Sequence, residues 1–433
     1  MSVLSRLRPG EGRVAVLRDR GFRRYFAGYA TSMLGTNMST VATAFAVLQS
    51  GVGPAGLGYV LAARILPQVV LVLGGGVVAD RIGRRQVMLG ADVLRFVTQA
   101  GFAAIILVGA APLWLLIIPA VLLGVGEAFF NPALSALTSQ IAPAEQLTDA
   151  NALLGLAQST ARIAGPAIAG LLVAVTSPAI VIAVDAATYG VSVLCLALIN
   201  VPPLPGTPRR NLIADLREGW SEFSSHTWLW VTTLQFSLFN LIVWGPFLAL
   251  GPVAADQRLD GARSWGLIMA GYGGGAVFGG LAMLGRRPRR PLLVAVGASL
   301  GWAAPSAFLA AGLPTLGVFV GTVLAGVGSS VFMALWTTTT QRRIRADALA
   351  RVNSYVTLGT FGLGPLGLAL AGPVGLTIGI GSLFWVGAVW QVASTAVVLT
   401  LPSTRRLTLD QAPSTEATAV DGLPAEDDRA SSR

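Results

Sequence analysis

Long apolar runs recur from Tyr25 to Leu401, separated only by short polar breaks, and each can cross a hydrocarbon layer of about 30 Å. The pattern predicts twelve spans, at 25–50, 54–79, 86–109, 112–136, 147–175, 178–201, 228–254, 264–285, 291–312, 315–337, 352–376 and 380–402. One polar stretch, 202–227, divides them six and six. Within it Leu212, Leu216, Trp220 and Phe223 recur at helical spacing, which predicts an amphipathic surface helix. The layout expected is a basic N-terminus (1–24), a six-helix bundle (25–201), a linker (202–227), a second six-helix bundle (228–402) and a tail (403–433). The tail is rich in Ser, Thr, Ala, Asp and Glu, and this composition predicts disorder. The first run is too long for a signal-peptide core and is read as a retained helix.

Composition agrees with a membrane-embedded chain: 54% of the 433 residues are hydrophobic and 12% are charged, against about 25% charged in a soluble domain. The net charge of +10 invites a nucleic-acid partner until the arginines are located. Seven precede the first run. Others cluster at Arg81, Arg84 and Arg85, at Arg209, Arg210 and Arg217, at Arg286, Arg287, Arg289 and Arg290, at Arg342, Arg343, Arg345 and Arg351, and at Arg405 and Arg406. All these connections fall on one side of the predicted topology. The positive-inside rule puts that side, and both termini, in the cytoplasm of a cell whose inner membrane holds the chain. The basic balance is thereby explained without nucleic acid.

The halves echo each other at an offset near 200 residues: Gly124–Gly126 with Gly326–Gly328, Asn151 with Asn353, Asn37 with Asn240, and Gly165–Pro166 with Gly364–Pro365. Such internal symmetry is expected of secondary transporters. Enzymatic chemistry finds no support. There is one histidine, His226, one cysteine, Cys195, and no phosphate loop, so no enzyme activity, cofactor or metal is expected.

Between the second and third spans, Gly76, Asp80, Arg81, Gly83, Arg84 and Arg85 stand in the pattern Gly-x-x-x-Asp-Arg-x-Gly-Arg-Arg. This closely resembles motif A of the major facilitator superfamily. Gly124, Glu127 and Asn131, then Asp149 and Asn151, then Arg162, Gly165, Pro166 and Gly170 resemble the branch that holds enterobactin-exporter-like and macrolide-efflux-like proteins. Arg23 and Arg24 before the first span, and Arg64 and Pro67 in the second, add to this likeness, which covers about 17–405. The resemblance implies an all-α fold of twelve membrane helices in two pseudo-symmetric bundles. It also implies a conformational latch around Asp80, and an exporter-like motif at Gly165, Pro166 and Gly170. The second half keeps the glycine and arginines of the latch at Gly280–Arg290 but lacks its Asp. Two departures set this chain apart from other drug exporters of the superfamily: Ala120 replaces a frequent Arg, and the first span carries Asn37 rather than a carboxylate.

A charged side chain at mid-membrane costs at least about 2.5 kcal/mol, so such residues are candidates for function. They are Arg64, Glu127, Arg162 and Asp185, with Asp92 and Arg95 nearer the end of the third span. One reading makes Glu127 a proton-coupling carboxylate paired with Arg64 or Arg162; the other makes the pair a permanent helix-orienting bridge. Asn37, Asn131, Gln235, Asn240, Trp244 and Trp336 are candidates for the substrate cavity, the tryptophans having lipid-facing packing as their alternative. The expected activity is proton-driven export of small amphipathic molecules by a monomer in the lipid bilayer. The alternatives are proton-coupled uptake and a receptor without flux.

Overall fold

A computed structural model describes residues 15–109, 111–143, 146–201, 212–286, 288–345, 348–405 and 407, apart from the side chains at 72–81, 135–136, 212–216, 218 and 350. Every regular element among them is a helix. The first half contains α1 (Arg20–Gln49), α2 (Gly53–Ile82), α3 (Arg84–Val108), α4 (Leu113–Ile141), α5 (Leu147–Val175) and α6 (Pro178–Ala197). A shorter α7 (Leu212–Ser225) lies between the halves and packs Trp220 and Phe223 on Tyr355, with ring centroids 5.5 and 6.1 Å away.

The six crossings of the second half are less regular. The seventh joins α8 (Thr227–Phe239) to α9 (Gly245–Arg258) through a π turn at Asn240–Trp244. There Gly245 N–H reaches back to the Asn240 carbonyl, just before Pro246, which has no N–H to continue the α pattern. The eighth is α10 (Gly261–Met283). The ninth joins α11 (Pro291–Ala298) to α12 (Ala303–Ala310) through a 3-10 turn. The tenth is α13 (Thr315–Arg343). The eleventh is broken between α14 (Leu349–Phe361) and α15 (Gly364–Ile378) at Pro365, and the twelfth is α16 (Ile380–Thr400), followed by the short α17 (Pro402–Arg405). The matching Gly165–Pro166 leaves α5 unbroken.

Eleven of these crossings are long and apolar enough to span a bilayer. The first, α1, has 30 residues but falls short in apolarity because Thr31, Ser32, Thr36, Asn37, Ser39, Thr40 and Thr43 interrupt it. These polar groups are tolerated because α1 lies against α2, α5 and α6, so part of its surface faces protein and cavity rather than lipid. The helices extend past the predicted hydrocarbon edges. α13 runs on through Thr337–Arg343 because a helix satisfies its own backbone in headgroups and water as well as in hydrocarbon.

The halves meet at the end of the bundle away from the arginine clusters. There α5 crosses α10, and α2 crosses α15. A Cβ on Gly170 would sit 2.5 Å from the Ala262 carbonyl oxygen and 3.0 Å from Gly266 Cα, so only glycine allows this backbone approach. On the other contact a Cβ on Gly58 would collide with the Leu368 carbonyl. Towards the arginine-rich end the same pair of helices separates. A cleft of about 390 Å³ opens there between Leu156, Ser159 and Ile163 of α5 and Val277, Gly280 and Leu284 of α10.

Candidate functional site

Two cavities lie inside this divergence. One, about 380 Å³, sits between the halves and is lined by Thr36, Arg64, Gln68, Glu127 and Asn131 from the first half and by Leu248, Trp265, Met269 and Leu368 from the second. Arg64 on α2 faces Glu127 on α4: guanidinium Nη2 lies 2.5 Å and Nε 3.2 Å from Glu127 Oε1, while Gln68 Nε2 donates to Oε2 at 2.5 Å. The side chains are only 15% and 13% exposed. Both charges therefore have a partner while remaining within reach of whatever enters the cavity. Local sequence makes this possible. Gly124, one turn before Glu127, abuts the Arg64 carbonyl and draws α4 against α2.

Against the cavity wall, to which Arg95 contributes, lies a buried polar layer of which charge patterning showed only a part. Asp92 and Arg95 pair one turn apart on α3, and Ser192 donates to Asp92 Oδ2 at 2.6 Å. The Arg95 guanidinium lies over the rings of Phe130 and Tyr189, 3.9 and 4.6 Å from their centroids. Gln99 Nε2 donates both to Asp185 Oδ2, 2.5 Å away, and to Ser39 Oγ, 2.6 Å away. Gln99 and Ser39 could not be found from charge alone. Their signal is a polar residue facing inward on an otherwise apolar helix.

The other cavity, about 350 Å³, lies wholly within the second half. Its walls are aromatic: Phe236, Phe239, Trp244, Tyr272, Trp302, Phe332 and Trp336, with Asn240, Gln341, Asn353 and several threonines supplying polar groups. The rings brace one another. Phe239 and Trp302 are 3.9 Å apart by centroid, Phe236 and Phe332 4.4 Å, and Trp228 supports Trp336 at 5.5 Å. Trp302 Nε1 donates to the Ala325 carbonyl, and Tyr272 donates to Ser329 Oγ at 3.0 Å, so the polar tips are satisfied. Among the described residues no charged side chain lines this cavity.

The other expected residues are distributed as follows. Asn131 lines the cavity between the halves; Asn240, Trp244 and Trp336 line the aromatic one. Gln235 turns the other way and donates to Thr395 at 3.4 Å, inside the second bundle. Asn37 donates to the Met33 carbonyl at 2.7 Å and packs on Gly165, lining neither cavity. Its counterpart Asn240 makes the same bond to Phe236 at 3.0 Å and a second to the Thr360 carbonyl at 3.2 Å. Arg162 is exposed and does not pair with Glu127; Tyr29 and Tyr272 lie within its electrostatic reach. Gly165, Pro166 and Gly170 form the surface of α5 that meets α1 and α10. In the Asp80 motif the side chains of Gly76, Asp80 and Arg81 lie outside the described residues. Gly83 begins α3 with φ +106°, a conformation that favours glycine. Arg85 donates to the Leu196 and Ala197 carbonyls at 2.8 Å, and Arg24 to Leu198 at 2.7 Å, so two arginines cap the end of α6. Among the described residues no three His, Cys, Asp or Glu side chains converge to hold a metal ion.

Two helical bundles that touch at one end, diverge at the other and enclose cavities at mid-depth define a multi-pass membrane transporter, not an enzyme. The model of the Major Facilitator Superfamily matches residues 25–367, and the chain belongs to that family. It is similar to macrolide efflux protein A of Streptococcus pyogenes, 26% identical over 82% of this chain and 88% of that protein. It is also similar to the multidrug efflux pump Tap of Mycobacterium tuberculosis, 28% identical over 88% of this chain and 94% of that one. A bacterial homologue of the iron transporter ferroportin, solved in an inward-facing state, shares the fold with a TM-score of 0.69 at 15% identity, covering 88% and 98% of the two chains.

Proposed function

We propose that this protein exports small amphipathic, drug-like or siderophore-like molecules across the cytoplasmic membrane by alternating access, as a monomer coupled to proton entry. The observation that carries this reading is the pairing of an uncharged aromatic cavity with an adjacent cavity holding a breakable ion pair. The aromatic walls suit the apolar body of a ligand, while Asn240, Asn353 and Gln341 suit its polar groups. The Arg64–Glu127 pair is the switch: a proton on Glu127 releases Arg64, and the two charges re-form their bridge when the proton leaves. With the arginine clusters and both termini in the cytoplasm, the divergent end faces inward and takes substrate from the cell. Gly76, Asp80, Arg81, Gly83, Arg84 and Arg85 act as the latch between states, and the α5 face of Gly165, Pro166 and Gly170 as the outer seal. The names of the efflux relatives support the direction.

The test is a susceptibility screen of cells expressing the chain against an antibiotic panel, with and without a proton uncoupler. Inside-out vesicles then report direction. Uncoupler-sensitive resistance and accumulation in energised inside-out vesicles are expected. Accumulation only in right-side-out vesicles means uptake, and binding without flux means a receptor; either result overturns export.

A further inference from the structure

The interior of the first half holds more carboxylates than guanidiniums. Arg64 is committed to Glu127 and Arg95 to Asp92, and this leaves Asp185, fully buried, with no ion partner among the described residues. Its surroundings are described from every side. From α1 come Ser39 and Gly35, neither titratable, and from α3 comes Gln99; Thr188 and Tyr189 lie on its own helix. Arg64 and Arg95 act only at electrostatic range, and the charges of Asp92 and Glu127 are already matched. Burial of a carboxylate without an ion partner favours its protonated form.

Among the described residues of the second half, the buried polar cluster of Gln235, Ser299, Gln391 and Thr395 on spans seven, nine and twelve is neutral. Gln391 Nε2 donates to the Ser299 carbonyl at 3.0 Å and to Thr395 Oγ1 at 3.2 Å, and Gln235 to Thr395.

The geometry points to Asp185 as the residue that carries the transported proton. This rests on the proton-driven reading above and moves the proton-bearing site from the cavity wall into the buried layer against it. Gln99 occupies Oδ2, so the proton resides on Oδ1, facing Thr188 Oγ1 at 3.5 Å. When the halves rearrange and water reaches the layer, Oδ1 gives its proton to that water. The new carboxylate then competes with Glu127 for Arg64, which lies within the field of both. Asp185 thus sets whether the cavity pair stays closed, and the Glu127–Arg64 bridge reads out its charge.

The experiment uses the purified full chain. Infrared spectra of wild type at neutral pH should contain a protonated-carboxyl C=O stretch that is lost in Asp185→Asn and retained in Glu127→Gln. In proteoliposomes Asp185→Asn should lose all stimulation by a pH gradient, while its cooperative melt in detergent shows that it remains folded. A band that survives in Asp185→Asn, or full gradient stimulation in that variant, overturns the proposal. The proton-driven reading itself fails separately, if wild-type transport ignores the gradient while the Asp185 band is present.

Discussion

Arg64 and Glu127 show how a charge can be kept inside a membrane protein without fixing the protein. Each is mostly buried, yet each lines a cavity, so the cost of removing them from water is offset by mutual attraction and by Gln68. Removing one partner strands the other. We expect Arg64→Gln and Glu127→Gln each to lower the unfolding temperature in detergent, and the double variant to recover much of the loss. The coupling should be on the order of 1–3 kcal/mol, as for residues in direct contact. A thermal melt of the four proteins checks this, and additive losses would mean that the pair contributes nothing. The corresponding place in the second half is occupied by Tyr272 and Ser329, which meet through a single neutral hydrogen bond. The echo of Gly124–Gly126 in Gly326–Gly328 continues into Glu127 against Ser329, so the same place carries a charge in the first half and a hydroxyl in the second.

Among the helices, α5 and α10 decide which end of the bundle is closed. Their contact depends on Gly170 and Gly266 lying backbone to backbone. In Gly170→Val the side chain has no flexible neighbour to displace, since carbonyl and Cα atoms surround it. The seal should therefore loosen. An impermeant maleimide should label a cysteine introduced at Ala262, buried in the parent chain, faster in the Gly170→Val background, with Cys195 replaced by Ser in both. Equal labelling would show that the seal rests elsewhere. The second-half spans break where the first-half spans run straight: at the π turn before Pro246, at Ser299–Trp302, and at Pro365. All three border the aromatic cavity, through Asn240 and Trp244, through Trp302 and through Phe361. A broken helix places side chains at angles that a straight one cannot, which suits a surface shaped to hold a ligand.

Across the two bundles, duplicated architecture carries divided labour. The first half concentrates Arg64, Asp92, Arg95, Glu127 and Asp185 in its interior, while among the described residues the second concentrates eight aromatic side chains around one cavity. Under the proposed function, ligand binding and proton handling fall on opposite sides of the interface between the halves, and each would bias the same two-state equilibrium. Trp336→Ala opens one wall of the aromatic cavity without touching the charged layer. We expect it to lower apparent substrate affinity about tenfold or more, the loss of roughly 1.4 kcal/mol of contact, while leaving the dependence of transport on the pH gradient unchanged. Transport titrations at several gradients measure both quantities, and a change in gradient dependence would refute the separation.

Helix number, pairing of halves and the membrane setting were legible in the residue order, because apolar runs must be about twenty residues long to cross lipid and glycine and proline punctuate them. The Asp80 motif and the repeated Gly-Val-Gly pointed to the family for the same local reason: backbone geometry demands those residues at that spacing. Partner choice was not legible. Arg64 and Arg162 were equivalent candidates for Glu127 until folding brought α2, not α5, against α4 through Gly124. Gln235 and Asn240 read alike on one apolar helix, and the π turn between Phe239 and Gly245 belongs to a bent seventh span that sends one into the bundle and the other to the cavity. Gln99 showed only as a polar residue on an apolar helix, without a sign of what it would face. A polar residue's role depends on what faces it from helices distant in the chain, and only the packed bundle decides that.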